Sequence, residues 1–99
     1  MKTEFELQGV CFEWHANKAK LNIQNHKIRF EEACEVFLDP FVKYLGSEVV
    51  ESETRDKIIG MTENWQVLLV VYTERDSDTF RLISARRATS KERKQYEKQ

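Results

Sequence analysis

Arg86 and Arg87 stand side by side at the end of an apolar stretch that begins Phe80-Arg81-Leu82, and they lead into Thr89-Ser90-Lys91-Glu92-Arg93. An arginine fork is planar, stays charged and binds two oxygens of a phosphate at once, so a strand ending in paired arginines suits an anion on which further charge builds. Side chains alternate between the faces of a strand, so the two arginines should point apart and only one should meet a phosphate. The other is then available for an ion pair with an acid such as Glu74, and Arg81 is a third cation on the same strand. Proton transfer at such a site needs a group that titrates near neutral pH, which makes His26 the candidate general base or acid. His26 also has a structural reading, as a residue that ends a helix where a cation favours the dipole. Trp14, Trp65, Tyr72 and Phe80 have faces able to stack on nucleic-acid bases, although aromatics on alternating strand positions are more often buried in a core. Nothing in the chain resembles a glycine-rich phosphate loop, a zinc cluster or a nucleophile elbow.

The elements that must position these residues follow from hydrophobic period. Phe5 to Trp14 alternates loosely, with Val10, Phe12 and Trp14 on one side, and predicts a short edge strand. Ala16, Ala19 and Ile23 recur at helical spacing and predict a first helix over 16–24. His26 to Arg29 is a polar break. Phe30, Ala33, Cys34 and Phe37 then repeat at i, i+3, i+4 and i+7, with Glu31 and Glu32 complementing the helix dipole, and predict a second helix that Pro40 must stop near Leu38. Phe41 to Val50 reads either as a strand or as an irregular crossing with a turn at Tyr44-Leu45-Gly46. From Arg55 the pattern is an antiparallel meander: strands over 57–60, 65–73 and 79–85, the middle one apolar on both faces and so central. Thr89 followed three residues later by Glu92 matches a capping box, so a third helix ends the chain with a basic outer face.

Ninety-nine residues with 40% apolar content build one core, so residues 1–99 are expected to form a single domain. No apolar run approaches the ~20 residues of a membrane span. The acidic start Met1-Lys2-Thr3-Glu4-Phe5-Glu6 does not look like a secretory leader, so the expected location is the cytoplasm, with no membrane partner. Cys11 and Cys34 lack the spacing of a disulfide scaffold or a zinc site, so neither a metal nor a cofactor is expected. The net charge of −1 conceals an asymmetry: seven basic residues against two acids from Arg81 onward give +5 and leave −6 for residues 1–80. One end can attract a polyanion while another surface meets a basic partner, since distant charges are screened.

Phe12-Glu13-Trp14, Lys18, Asn22, His26, Phe30-Glu31-Glu32-Ala33, Phe37-Leu38-Asp39-Pro40, Arg55 with Gly60, Tyr72-Thr73-Glu74-Arg75, and Ile83-Ser84-Ala85-Arg86-Arg87-Ala88 through Glu92-Arg93 to Tyr96 fall in an order and spacing that resembles the BrnT family. These are the toxins of type II toxin-antitoxin systems. His15 stands where the family usually has Asp, Asn25 where it has Lys, and Lys27 where Gly is common. The resemblance implies an α+β fold of RelE-like type, with two N-terminal helices packed on a curved antiparallel β-sheet and a C-terminal helix. It implies a metal-independent endoribonuclease that blocks translation and is silenced by a ribbon-helix-helix, BrnA-like antitoxin, which alone carries the complex to operator DNA. The candidate catalytic residues are then His26, Arg86 and Glu74, and the candidate RNA contacts Lys18, Arg75, Arg81, Arg87 and Tyr96, with Glu74 and Tyr96 resting on spacing alone. The alternative is a non-catalytic module of the same fold that binds the antitoxin and acts as a co-repressor. The acidic total and the substitutions at His15 and Asn25 favour that alternative, and the arginine-rich strand end favours the enzyme.

Overall fold

The computed structural model describes residues 1–98. Strands β1 (Lys2–Leu7) and β2 (Val10–His15) come first, then helix α1 (Ala16–His26), a four-residue helix α2 (Phe30–Ala33) continued by a 3-10 helix over Cys34–Leu38, strands β3 (Lys43–Val50), β4 (Glu53–Met61), β5 (Val67–Arg75) and β6 (Thr79–Arg87), and helix α3 (Ser90–Glu97). The six strands form one sheet in the order β1-β2-β6-β5-β4-β3.

The expected architecture of two N-terminal helices on an antiparallel sheet is therefore corrected. The sheet is mixed, because β2 runs parallel to β6 from Cys11↔Thr79 to Glu13↔Arg81. The stretch expected as one edge strand is a hairpin, since Gln8 (φ 48°) and Gly9 (φ 84°) both occupy the left-handed region that a tight two-residue turn demands. The second predicted helix lasts one turn and then tightens into the 3-10 helix. There Asp39 turns its carboxylate back to accept from the Met61 amide at 2.8 Å and the Phe41 amide at 2.9 Å. Gly60 makes this crossing possible: a Cβ there would lie 2.7 Å from Cγ1 of Val36. Near Tyr44-Leu45-Gly46 the chain does not turn; Gly46 (φ 112°) lets β3 absorb a register shift against β4.

The expected central strand is central, with β5 paired to β4 and β6. One face buries Phe12, Trp14, Phe30, Ile58, Leu68, Val70, Tyr72 and Leu82 with the segment 28–36. The other carries a smaller cluster in which Tyr96 of α3 packs on Ile59 and Val67. Among the described residues no helix is long and apolar enough to cross a membrane.

Candidate functional site

β6 separates its two terminal arginines as alternation requires, Arg86 opposite Leu69 and Arg87 opposite Leu68. Arg86 faces α3. Its Nη1 and Nη2 each donate to a Glu92 carboxylate oxygen at 2.9 Å, a two-pronged ion pair. The same Glu92 accepts from the Thr89 amide at 2.9 Å, and the Thr89 hydroxyl accepts from the Glu92 amide at 3.2 Å, completing the capping box expected from the sequence. The Arg86 fork holds the Glu92 carboxyl down to about 2 against the opposing effect of burial. Arg86 thus joins β6 to α3 and has its acid in Glu92, not in the expected Glu74.

Arg87 is exposed on the other side and has no carboxylate partner among the described residues; its Nη1 donates to the backbone carbonyl of His26 at 3.4 Å. That contact places it at the C-terminal end of α1, whose carbonyls carry partial negative charge. His26 is half-buried in the last turn of α1. With Lys18, Leu21, Asn22, Asn25, Ile83 and Ser84 it lines a shallow groove of about 210 Å³ between α1 and β6. Lys18, Asn22 and Asn25 or His26 share one helix face at spacings of four, three and four residues, so they line the same side of the groove. No carboxylate lines the groove. Lys27 follows in the left-handed conformation (φ 59°), with its amide on the Ile23 carbonyl at 2.9 Å, a helix-ending geometry that glycine adopts most readily.

The remaining sequence candidates lie elsewhere. Glu74 and Arg75 are exposed at the far end of β5, Glu74 opposite Phe80. Six strand residues separate that pair from Arg87, about 20 Å of strand. Arg81 donates to Glu13 at 2.8 and 2.9 Å, and Lys2 adds a contact at 3.5 Å. Burial alone would raise the Glu13 carboxyl, but these cations outweigh it and hold it below the usual range. Tyr96 is buried and its hydroxyl donates to Asp39 at 2.6 Å; burial first and the carboxylate second push the phenol up to about 12. His15 is exposed just before α1, and Cys34 is buried. Of the four aromatics, Trp14 and Tyr72 are buried and Phe80 packs on Phe12, Phe37 and Tyr72. Trp65 is 79% exposed, held at φ 65° in the turn where the Thr62 amide donates to the Gln66 carbonyl at 2.8 Å. No group of three or more His, Cys, Asp or Glu side chains gathers into a metal-binding arrangement among the described residues.

Two contacts that shape this end of the sheet are not evident from the sequence: the Arg86–Glu92 fork and the insertion of Asn22 beneath α1. Both leave a trace in it. Glu92 is recognisable as a cap residue six positions from Arg86. Asn22, three residues after Ala19, is a polar residue on a buried helix stripe, while Ile23, expected on that stripe, is 46% exposed.

No curated protein sequence matches the chain. The crystal structure of the Brucella abortus ribonuclease toxin, BrnT, is similar in fold, with a TM-score of 0.62 and 24% identity over 78% of this chain and 94% of that one. The family described as "Ribonuclease toxin, BrnT, of type II toxin-antitoxin system" matches residues 14–92, from Trp14 through the Arg86–Glu92 fork. That span takes in both the groove and the elements that frame it, and the chain belongs to the BrnT family of ribonuclease toxins of type II toxin-antitoxin systems.

Proposed function

We propose that the chain cleaves RNA in the groove between α1 and β6, without a metal, and so arrests translation. The observation that carries this reading is a groove lined by Lys18 and His26 and by no carboxylate, with Arg87 bonded to the backbone carbonyl of His26 at its end. Such a groove attracts a phosphodiester and leaves the imidazole near it. In the proposed reaction a base removes the ribose 2′-OH proton, the 2′-oxygen attacks phosphorus, and the P–O5′ bond breaks as an acid gives a proton to the departing 5′-oxygen, leaving a cyclic phosphate and a 5′-hydroxyl. His26 is the group suited to one of the two proton transfers. Arg87 and Lys18 stabilise the charge that grows on the phosphoryl oxygens. Arg86, engaged with Glu92, sets the start of α3, and Arg87 takes the phosphate. Glu74, Arg75 and Arg81 lie outside the reacting centre, and Trp65 offers the open aromatic face for a neighbouring base.

The partner in this reading is a cognate ribbon-helix-helix, BrnA-like antitoxin in the cytoplasm, which covers the arginine-rich strand end and the last helix and alone contacts operator DNA. Lys91 and Lys94 are exposed on α3, while Arg93 pairs with Glu97 at 3.3 Å, and the two lysines suit an acidic partner segment. The second reading, a non-catalytic co-repressor, draws on the groove's lining by a single imidazole and no carboxylate as second proton donor. The test is incubation of the purified chain with a defined RNA in excess chelator. The expected result is cleavage to 2′,3′-cyclic phosphate ends, abolished by stoichiometric antitoxin. Intact RNA together with normal antitoxin and operator binding would establish the co-repressor instead.

A further inference from the structure

β6 has strands on both sides only as far as Arg81. β2 pairs with it up to Glu13↔Arg81 and then departs into α1, so from Leu82 onward the α1-side edge of β6 has no neighbouring strand. Buried backbone groups left bare there would be costly. The carboxamide of Asn22 fills the gap. Its Oδ1 accepts from the Ala85 amide at 3.0 Å and its Nδ2 donates to the Ala85 carbonyl at 2.8 Å, the two bonds a paired strand residue would make. The same Nδ2 donates to the Ile28 carbonyl at 3.0 Å. One side chain therefore ties together α1, the chain returning from it, and the end of β6. Asn22 is also the one residue of α1 that is buried, so no deeply buried apolar side chain of its own fixes where this helix sits on the sheet. A buried polar contact of this kind satisfies backbone groups and also fixes how the elements it joins sit against one another.

We propose that Asn22 is the positioning residue of the groove. It lies four residues before His26 and bonds the residue two before Arg87. It thereby sets the α1–β6 spacing and the separation of Lys18 and His26 from Arg87 that a phosphodiester must bridge. This inference rests on the reading of the groove as the phosphodiester site. Misplacement of reacting groups by about 1 Å lowers rates by about 10²-fold without removing any reacting group.

The experiment compares the full-length wild type with Asn22→Asp, which keeps the acceptor for Ala85 and loses both donors, and with Asn22→Ala. Circular dichroism reports the fold, single-turnover RNA cleavage separates rate from affinity, and titration with inorganic phosphate is followed at the His26 imidazole resonances. Expected are folded variants whose cleavage rate falls by about 10²-fold while RNA affinity changes by less than about tenfold, with a weakened His26 response to phosphate. Folded variants that cleave and respond as the wild type does would overturn the inference and leave the groove reading intact. Variants that do not fold would also overturn it, since Asn22 would then be a general stability element. A wild type that neither cleaves RNA nor responds to phosphate would instead sink the groove reading, and this inference with it.

Discussion

The two faces of β6 near its end receive the same residue type and do opposite things with it. On the α3 face, Arg86 closes onto Glu92 in a fork that also completes the helix cap, and its charge is used within the fold. On the α1 face, Arg87 stays exposed, held among the described residues only by a carbonyl at the end of α1. A charge count over the segment reports two equal arginines, whereas strand alternation and the placement of one acid decide which charge remains for a ligand. An Arg with its own carboxylate is a joint; an Arg held only by a backbone carbonyl at a helix end is the one proposed here to meet the phosphate.

The sharpest way to break this contrast acts on the open face. His26→Ala removes the only imidazole lining the groove, and cleavage is expected to fall by about 10²- to 10⁴-fold with an unchanged circular dichroism spectrum. Near-normal cleavage in a folded variant would reduce His26 to a helix-ending residue. On the closed face the large effect should fall on stability. Arg86→Ala strips a charge-assisted pair and weakens the attachment of α3, which costs about 1.5 to 3 kcal/mol before discounting for its partial exposure. That loss is readable as a lowered melting temperature.

Acidification probes the same joint. The folded-state pKa of Glu92 is depressed, so the stability it contributes is fully present above the ordinary value of 4.5 and is lost as pH falls from there toward about 2. Glu92→Gln should be less stable than the wild type at neutral pH and should show a flatter acid limb, measured by denaturant midpoints across that window. Equal slopes would mean that the fork contributes nothing in solution. The smallest effect belongs to the far end of the sheet, where Glu74→Ala and Arg75→Ala should leave cleavage within about twofold, as exposed substitutions remote from a site do.

Much of the frame is legible in the local pattern of the sequence. The double-faced apolar pattern of Leu68 to Tyr72 requires a central strand, Pro40 requires a stop near Leu38, and Thr89 with Glu92 requires a cap; the structure has all three. What escapes depends on partners far away in sequence. The parallel pairing of β2 with β6 joins residues 68 apart and leaves no local period. The second helix tightens because Asp39 is drawn to Met61 and Tyr96, although Phe30 to Phe37 has sound helical spacing. At the site, the residue types are visible in the sequence but their grouping is not. Lys18 and His26 line one groove and Arg87 reaches the His26 carbonyl, whereas Arg81 is absorbed by Glu13 and Tyr96 by Asp39, acids that stand in recognisable motifs but whose partners lie 68 and 57 residues away. Gln8-Gly9 is a readable turn signal within the predicted edge strand, and it marks the hairpin.

In the proposed reading adjacent arginines divide the work, Arg87 for the phosphate and Arg86 for the fold. The most direct test of that division measures RNA cleavage and melting temperature together for Arg87→Ala and Arg86→Ala. Arg87→Ala is expected to melt like the wild type and to cleave about 10²- to 10³-fold more slowly, as loss of one charge-stabilising contact does, while Arg86→Ala melts earlier and, below its melting point, cleaves near the wild-type rate. A stable Arg87→Ala protein with full cleavage, beside an inactive but equally stable Arg86→Ala protein, would contradict it.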